Sequence, residues 1–311
     1  MKVVGVTDYG GPEALRVFEV PEPHAGPGEV RIRVHAAAVN PTDTLVRNGS
    51  RAESQKEFEP PYVPGMDAAG TVDEIGDGVH THLAVGDEAM AILVPRGSHG
   101  AYSEYIVVPA DSVARTPAGA SLVEASTLPM NGLTARRALD LLALQPGQSI
   151  AVTGAAGAFG GYVVQLANAE GLRVIADASA ADEELVRGFG AEVVPRGHGV
   201  AQRIRAIVPE GVDGLADGAL LFEQALPAVR DGGGMAVVRT YNGETERGIT
   251  IHPVWVRDYA RERVKLDRLR EQVEEGVLTL RVAGTFSADR AGEAHRILEA
   301  GGTRGRLVIE F

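Results

Sequence analysis

The chain has 311 residues, a hydrophobic fraction of 44% and a formal net charge of −12. The length suffices for about two domains, and the composition is typical of a soluble globular protein. The acidic charge disfavours nucleic acid and anionic membrane surfaces as partners, and the absence of cysteine excludes disulfides, a thiol nucleophile and cysteine-ligated metal sites.

The N-terminal sequence predicts a cytoplasmic protein. Met1-Lys2 leads directly into the apolar residues 3–6, which predict a short strand and lack the long apolar core of a signal peptide. No apolar run approaches the length of a membrane-spanning helix. We therefore expect no association with a membrane.

Residues 1–122 are predicted to form a β-rich domain. Short alternating runs at 30–34 and 105–108 are separated by Gly/Pro clusters such as residues 26–28, which is the pattern of strands joined by turns. Many such strands favour a barrel-like or sandwich-like domain. The stretch 48–61 is polar, charged and aperiodic, and we interpret it as a mobile loop.

A strand predicted at 149–152 leads into a glycine-rich loop near the middle of the chain. The loop precedes a helix predicted at 162–170, and it contains Gly154, Ala155, Ala156, Gly157, Ala158, Phe159 and Gly160. Glycines allow a sharp turn and a close approach to a pyrophosphate, and the helix N-terminus supplies free N–H groups. The glycine spacing differs from Gly-x-Gly-x-x-Gly, so a purely structural turn stays an alternative, but the strand–loop–helix context favours a dinucleotide site.

Alternating strands and helices follow the loop. Strands are predicted at 173–176, 192–194, 213–216, 235–238 and 248–251, with helices at 182–189 and 202–207. This alternation predicts an α/β fold with a mostly parallel, doubly wound sheet. The tail is expected to pack back on the first domain, and its predicted elements are two helices and a strand, at 257–275, 288–299 and 306–309.

Three residues near the ends of the second and third strands bear on the choice of dinucleotide. Asp177 ends the second strand, where an acidic side chain accepts the ribose hydroxyls of NAD, or it is an exposed loop residue. Ser179 opens the pattern Ser-Ala-Ala-Asp, so its hydroxyl caps a helix, contacts a 2′-phosphate, or does both. Arg196 follows the third strand and either binds the same phosphate or is solvated.

Among the histidines, only His80 and His82 have a spacing that suits a metal. Asp73 and Asp77 are the acidic residues nearby, on a predicted turn, and this set does not amount to a metal site. We therefore predict no bound metal.

Seven segments together resemble one protein family nearly end to end. They are residues 9–15 (Tyr-Gly-Gly-Pro-Glu-Ala-Leu), 37–43, 63–70 (Val-Pro-Gly-Met-Asp-Ala-Ala-Gly), 85–87, 100–105, 128–135 and 294–306. The glycine loop is also similar to the family's Gly-Ala-Ala-Gly-Gly-Val-Gly, with Ala158 and Phe159 substituted. The family is that of the zinc-independent quinone oxidoreductases, the zeta-crystallin-like branch of the medium-chain dehydrogenase/reductase superfamily. The resemblance implies a GroES-like β-rich catalytic domain from residues 1–122 and 258–311, with a Rossmann nucleotide-binding domain inserted at 123–257.

The resemblance also implies chemistry without zinc. Zinc-containing relatives place a cysteine ligand near Asn40, and they have Gly-His-Glu where this chain has Gly65-Met66-Asp67, so two ligand positions are lost. Without a Lewis acid, the acceptor must already be electrophilic, as a quinone or an α,β-unsaturated carbonyl is. We therefore expect an enzyme that transfers hydride from a nicotinamide cofactor to such a small molecule, mostly by binding and orienting the reactants.

Site residues follow from the same resemblance. Asn40 and Asp43 are expected to line the cleft for nicotinamide and substrate, with Tyr62 at its opening. Asn40-Pro41 also suits a turn before a helix and Asp43 the helix's first turn, so both residues have a structural alternative. The expected cofactor contacts beyond those named above are Asn131, Thr134 and Thr240.

The family habit favours NADPH as the cofactor, whereas Asp177 keeps NADH as the alternative. A homodimer is implied as well, through pairing of the apolar segment 248–256. Two rival functions stay open. One is a 2-enoyl thioester reductase, whose tyrosine proton donor is missing at 48–51, and the other is a cofactor-binding protein without catalysis. A nucleic-acid-binding role, known in some relatives, is disfavoured by the charge of −12 and the lack of a basic stripe.

Overall fold

The computed structural model describes residues 1–79 and 81–311, so in the predicted pair His80 and His82 the first histidine lies outside the described residues. The described residues form fifteen strands: β1 Lys2–Gly5, β2 Arg16–Glu19, β3 Glu29–Val39, β4 Asp67–Ile75, β5 Glu88–Ile92, β6 Tyr105–Pro109, β7 Val113–Arg115, β8 Ser149–Thr153, β9 Arg173–Ala178, β10 Glu192–Pro195, β11 Val212–Asp217, β12 Val229–Val237, β13 Thr250–Pro253, β14 Val282–Ser287 and β15 Arg306–Glu310. They also form nine α-helices: α1 Pro41–Arg47, α2 Ala52–Gln55, α3 Leu122–Ala125, α4 Pro129–Leu142, α5 Ala158–Ala169, α6 Glu183–Gly188, α7 Val200–Ile207, α8 Arg263–Glu274 and α9 Ala291–Ala300. None of these described helices is long and apolar enough to cross a membrane.

The chain divides into two compact units. The first, which we call the β-rich unit, consists of Met1–Met130, Ala260–Glu274 and Leu280–Phe311. The second, the parallel-sheet unit, consists of Asn131–Tyr259 and Glu275–Thr279. The β-rich unit is thus assembled from both ends of the chain.

The β-rich unit is built on a seven-stranded sheet. Six strands follow the order β14-β15-β3-β4-β5-β7, and β6 also pairs with β3. The eleven-residue β3 is long enough to pair with β6 along its first half and with β15 along its second half. Its alternating residues Val30, Ile32 and Val34 are buried in the core of this unit. The antiparallel pairing of β15 with β3 confirms that the tail packs on the N-terminal strands.

The parallel-sheet unit contains six parallel strands in the order β10-β9-β8-β11-β12-β13. All five residues of β8 are buried, as expected for a strand covered on both faces. The chain leaves β8 in one direction along the sheet and reaches β11 on its other side, so the strand order reverses between β8 and β11. Ligands of such sheets bind at this reversal, beyond the carboxyl ends of the strands. The predicted doubly wound parallel sheet is confirmed.

The helix after the glycine loop begins at Ala158, four residues before the predicted start at 162. Gly157 has extended backbone angles and is the N-cap, so Ala158 and Phe159 belong to the helix and not to the loop. Gly160 and Gly161 also lie within the first turns. Glycine has a low helix propensity, and this hid the true start of the helix from the sequence pattern.

The predicted tail helix at 257–275 is interrupted. A 3₁₀ turn at Val256–Tyr259 precedes α8, which begins only at Arg263. The carbonyl of Ala260 accepts a hydrogen bond from Ser112 Oγ at 2.6 Å. This carbonyl is therefore bonded to a side chain of another segment. An amphipathic pattern in the sequence does not reveal a hydrogen bond to a residue that is distant along the chain.

The stretch 48–61, interpreted from sequence as a mobile loop, contains the short helix α2 and a buried polar anchor. Gln55 is buried, donates to the carbonyl of Pro95 at 3.1 Å and accepts the N–H of Gly97 at 2.8 Å. These two bonds tie the polar stretch to the segment after β5. Charge and aperiodicity indicate an exposed surface but do not exclude one buried anchor.

Candidate active site

The N-terminus of α1 brings together two of the predicted catalytic residues. Asn40 is the N-cap, and Asp43 is the third residue of the helix. Asp43 Oδ2 accepts the backbone N–H of Asn40 at 2.7 Å, and Asp43 Oδ1 accepts the N–H of Gly65 at 3.2 Å. Both side chains are fully buried. The structural alternative inferred from sequence, a carboxylate at a helix start, is therefore present, whatever further role these residues have.

Asp67, in β4, is a second buried carboxyl beside Asn40. Its Oδ2 accepts a hydrogen bond from Asn40 Nδ2 at 2.7 Å, and its Oδ1 accepts the N–H of Met130 at 2.6 Å. Met130 lies in the first turn of α4, where backbone N–H groups lack helical partners and favour a carboxylate. From the sequence, Asp67 is known only as the residue in place of the glutamate of Gly-His-Glu, because no local pattern shows which helix start it meets.

A chain of buried polar side chains continues from Asp43 to helix α9. Tyr102 Oη lies 3.1 Å from Asp43 Oδ2 and 3.0 Å from His295 Nε2. Arg47 Nη1 lies 3.3 Å from His295 Nδ1, and Arg47 Nη2 donates to Glu299 Oε1 at 2.6 Å. No role for these residues follows from the sequence alone. The available signal is that Tyr102 and His295 belong to two of the segments that carry the family resemblance.

Burial dominates the electrostatics of this group. It raises the pKa of Asp43 to about 7, against the hydrogen bonds that this carboxyl accepts. The pKa of Asp67 is raised to about 7, again chiefly by burial. The pKa of His295 is lowered to about 3 by burial and by the charge of Arg47, so its imidazole is neutral. The two carboxyls therefore titrate in the neutral pH range, whereas His295 of α9 does not.

Tyr62, the third predicted catalytic residue, forms a pair of stacked rings with Tyr9. Their centroids are 5.2 Å apart and their planes are inclined by 13°. Tyr62 Oη donates to the carbonyl of Phe58 at 3.3 Å. Tyr62 stands three residues before Gly65, whose N–H binds Asp43, and Tyr9 precedes Gly10, whose carbonyl accepts from Arg47 Nε at 3.1 Å. The chain segments of both tyrosines are therefore hydrogen-bonded to the buried polar side chains, through Gly10 to Arg47 and through Gly65 to Asp43.

The glycine loop connects β8 to α5 with a tight turn. Gly154 has a left-handed backbone with a φ of 68°, a region that favours glycine, and its carbonyl accepts the N–H of Gly157 at 3.0 Å. A Cβ at Gly160 would lie 2.8 Å from Ala155 Cα and closer still to the carbonyl oxygen of Gly154. Close packing of the first helical turn on the loop therefore requires glycine at 160, as a pyrophosphate-binding turn does.

Asp177, the last residue but one of β9, binds the loop itself. Its Oδ1 accepts the N–H groups of Gly154 at 2.7 Å and Ala155 at 3.4 Å. Its side chain is buried, and burial raises its pKa, whereas the charge of Arg196 acts in the opposite direction. The alternative of an exposed loop residue is therefore wrong. Both of these hydrogen bonds use Oδ1.

Ser179 does not cap a helix as the pattern Ser-Ala-Ala-Asp suggested. The N-cap of α6 is Asp182, and Ser179 Oγ donates to the Asp182 carboxylate at 2.5 Å. A helix that begins after Asp182 leaves Ser179 one turn too early for a capping box. The Ser179 hydroxyl, which the sequence offers as a contact for a 2′-phosphate, is therefore bonded to an acidic side chain.

The remaining predicted cofactor residues lie in the parallel-sheet unit. Asn131 and Thr134 are buried on α4, and Thr240 is exposed beyond the end of β12. A cavity of about 350 Å³ adjoins Thr240, and its lining consists of Phe222, Glu223, Thr240, Tyr241, Asn242 and Gly243. The rings of Phe222 and Tyr241 are 5.9 Å apart. Sequence reasoning missed these two aromatic residues, because they follow strands in unpatterned loops.

Asp217 shapes the loop that carries Phe222. Its carboxylate accepts Thr153 Oγ1 at 2.6 Å and the N–H groups of Leu221 and Phe222 at 3.1 and 2.8 Å. Leu220 and Phe222 have positive φ angles of 57° and 48°, which are uncommon for residues with large side chains. Such backbone strain persists where surrounding bonds hold it, often beside a ligand site.

The residues at the former zinc positions do not fit that metal. Met66 offers a thioether that accepts from Thr42 Oγ1 at 3.5 Å, and Asn40 and Asp67 are bonded to each other. Within residues 1–79 and 81–311, no group of three or more histidine, cysteine, aspartate or glutamate side chains could hold a metal ion.

Two family models match the chain: the alcohol dehydrogenase GroES-like domain at residues 26–118 and the zinc-binding dehydrogenase at residues 189–309. An alcohol dehydrogenase of Geobacillus stearothermophilus is 32% identical over 268 residues, which cover 76% of this chain and 77% of that protein. A chloroplastic quinone oxidoreductase of Triphysaria versicolor is 36% identical over 62% of this chain and 60% of that protein.

Solved structures are similar over the whole chain. An NAD-dependent alcohol dehydrogenase has a TM-score of 0.86 at 30% identity, with 100% of both chains covered. The quinone oxidoreductase of Coxiella burnetii has a TM-score of 0.87 at 26% identity, over 100% of this chain and 99% of that one. A mycobacterial protein in complex with NADPH has a TM-score of 0.88 at 26% identity, over 100% of both chains. The chain belongs to the medium-chain dehydrogenase/reductase superfamily, in its quinone oxidoreductase branch.

Membership of this superfamily confirms the predicted family and the α/β fold with GroES-like and Rossmann parts. The chain spans only part of some curated relatives. The human synaptic vesicle membrane protein VAT-1 homolog-like is 32% identical over 219 residues, which cover 70% of this chain and 50% of that protein.

Replacement of Gly160 by alanine is expected to lower the free energy of unfolding of this superfamily member by about 1–3 kcal/mol, because the new methyl group overpacks the loop. The matched control is Gly188→Ala in α6, where a Cβ would meet no heavy atom within 4 Å. That control should gain about 0.5–1 kcal/mol, because alanine restricts the unfolded chain. Urea unfolding measures both changes, and equal stability of the two variants would contradict the close packing at residue 160.

Proposed function

We propose that the protein transfers hydride from NAD(P)H to a quinone or an α,β-unsaturated carbonyl without zinc. The observation that carries this proposal is the replaced metal position in a family of reductases, where Asn40 and Asp67 bind each other and Met66 offers a thioether. A carbonyl that is not already activated needs a Lewis acid, whereas quinones and enones are electrophilic without one. Quinone oxidoreductases among the relatives support the same class of acceptor.

The two parts of the chain are proposed to divide the work. Residues 123–257 would bind the dinucleotide, and residues 1–122 with 258–311 would bind the acceptor. The strand reversal after β8, the Gly160 contact and the twelve-residue helix α5 fit a pyrophosphate at the glycine loop. When bound, the dihydronicotinamide would supply the hydride. A similar mycobacterial structure contains NADPH, which supports a nicotinamide cofactor here.

Individual residues are proposed to have separate tasks. Backbone N–H groups in the first turn of α5, from Ala158 to Gly160, would hold the pyrophosphate, and Asp177 Oδ2 would accept a ribose hydroxyl. Asn131, Thr134 and Thr240 would contact the nicotinamide half, and Thr240 also lines the cavity at Phe222 and Tyr241. Asn40 and Asp43 would orient the acceptor. The proton that completes the reduction would come from solvent or from the Tyr62 hydroxyl.

The purified protein is expected to oxidise NADPH with 1,4-naphthoquinone faster than with crotonyl-CoA, and dialysis against EDTA should leave the rate unchanged. The reason is that a quinone needs neither a metal nor a dedicated proton donor for acceptance of hydride. Steady-state rates from NADPH absorbance measure the preference. Faster reduction of crotonyl-CoA would favour a thioester reductase, cofactor binding without turnover would favour a non-catalytic binding protein, and loss of activity in EDTA would contradict zinc independence.

We propose NADPH as the preferred cofactor, with Arg196 and Ser179 at the 2′-phosphate. Arg196→Ala should weaken NADPH binding about 10- to 100-fold, the value of a lost charge-assisted hydrogen bond, and should change NADH binding little. The matched control is Arg173→Ala. Arg173 is the first residue of β9, whereas Asp177 and Ser179 lie near the other end of that strand. Calorimetry with both dinucleotides measures the effect. Equal or tighter binding of NADH by the unmodified protein would instead assign the preference to Asp177 and Asp182.

A homodimer is proposed to form through β13, the last strand in the order of the parallel sheet. An outermost strand offers N–H and C=O groups that can pair with a second copy of the same strand. Light scattering at micromolar concentration should give twice the chain mass of 32.6 kDa. A monomeric mass would contradict the proposal. The cytoplasmic location stays a prediction from the sequence.

A further inference from the structure

A row of buried hydrogen bonds runs from helix α9 to Asp43, and its direction is determined by Arg47. An arginine side chain only donates, so His295 Nδ1 must accept at 3.3 Å. The single N–H of the neutral imidazole is then on Nε2, which faces Tyr102 Oη at 3.0 Å. The tyrosine oxygen accepts this bond, and its hydrogen is directed to Asp43 Oδ2 at 3.1 Å.

Asp43 therefore receives donors from three directions. Tyr102 Oη and the N–H of Asn40 bind Oδ2, and the N–H of Gly65 binds Oδ1. Donors of this kind stabilise the carboxylate over the protonated acid. Of the charged groups packed around it, Arg306 of β15 also favours the carboxylate, whereas the negative charge of Asp67 opposes it.

The ionised carboxylate in turn determines the geometry of Asn40. The backbone N–H of Asn40 is bound to Asp43, and the side-chain amide is bound through Nδ2 to Asp67. A protonated Asp43 would lose acceptor capacity at Oδ2, where the Asn40 and Tyr102 bonds meet. The turn that presents Asn40 would then be held less firmly.

We propose that His295 is a positioning residue for the reduction step: with Arg47 and Tyr102 it holds Asp43 as a carboxylate and thereby fixes Asn40 at the acceptor site. The proposal rests on the proposed function of Asn40. Glu299 completes the row at its outer end, since it binds Arg47 at 2.6 Å while remaining partly exposed. The C-terminal helix α9 thus contributes to the acceptor site, whose predicted residues Asn40, Asp43 and Tyr62 all come from the N-terminal region.

Three variants separate this role from simple packing. In His295→Gln, an amide oxygen can accept from Arg47 and the amide nitrogen can donate to Tyr102, so the direction of the row is retained without an imidazole. His295→Leu removes both bonds at similar volume. Tyr102→Phe removes the hydroxyl donor to Asp43. The matched control is Tyr105→Phe on β6, whose ring lies against Arg31 and not against Asp43.

The first measurement does not depend on activity. The backbone amide signals of Asn40 and Gly65, followed by NMR from pH 5 to pH 9, report the ionisation of Asp43, whose pKa burial raises to about 7. Loss of the tyrosine donor should raise the titration midpoint by about one pH unit, since one hydrogen bond to the charged form is lost. His295→Leu should shift the midpoint in the same direction. His295→Gln and Tyr105→Phe should leave it unchanged.

The second measurement is turnover of 1,4-naphthoquinone as a function of pH. In Tyr102→Phe and His295→Leu, kcat should fall and the acid limb of the pH profile should move to higher pH. The reason is that Asp43 becomes protonated at a higher pH in these variants. The KM for NADPH should not change, and His295→Gln should restore kcat. Equal losses of kcat in the Gln and Leu variants, with unshifted acid limbs, would reduce His295 to a packing residue and overturn the proposal.

The two measurements also separate this proposal from the proposed function. If the unmodified protein reduces neither a quinone nor an enone, the function fails, and the NMR midpoints still decide whether the row holds Asp43 ionised. An unshifted midpoint in folded Tyr102→Phe overturns the proposal even if the enzyme is active. If Tyr102→Phe does not fold, the comparison of the Gln and Leu variants at His295 decides in its place.

Discussion

Two hydrogen bonds from Asn40 to buried carboxyls organise the β-rich unit. The backbone N–H binds Asp43 in α1 and the side-chain amide binds Asp67 in β4, so one residue joins a helix start to a central strand. A carboxylate removed from water is costly unless hydrogen bonds replace its hydration. Asp43 therefore also takes the N–H of Gly65, and Asp67 takes that of Met130. The loss of one donor would leave part of a buried charge uncompensated, which costs more than an average hydrogen bond.

This constraint explains why both chain ends are needed in one unit. β15 pairs with β3 immediately before Asn40, with Leu307 opposite Val39. The same tail places His295 and Glu299 of α9 against Arg47, more than two hundred residues away in sequence. The parallel-sheet unit can be inserted between these segments because its own sheet is complete, with all six strands drawn from residues 149–253.

The extent to which sequence predicted this arrangement depends on how local each feature is. The glycine loop, the parallel strands and the position of Asp43 in a first helical turn are encoded by neighbouring residues, and sequence patterns revealed them. The partners of Asp67, Tyr102 and His295 depend on strand register and on the return of the tail, which no local pattern contains. Gln55 shows the same limit, since its bonds to Pro95 and Gly97 turned an apparent loop into an anchored segment. The glycines at 160 and 161 obscured the start of the helix in the sequence, because glycine has a low helix propensity.

Asp43 and Asp177 are two buried carboxyls that accept their hydrogen bonds in different ways. Each is buried near one end of a regular element, and each accepts two backbone N–H groups: Asp43 those of Asn40 and Gly65, and Asp177 those of Gly154 and Ala155. In Asp43 both oxygens accept hydrogen bonds from the protein, so under the proposed function this carboxylate would act on the acceptor only through Asn40. In Asp177 both N–H bonds go to Oδ1, and the proposed ribose contact would use Oδ2. The same physical requirement, donors for a buried charge, is thus met through both oxygens of Asp43 and through one oxygen of Asp177, and under the proposed function this would give the first an indirect role and the second a direct one.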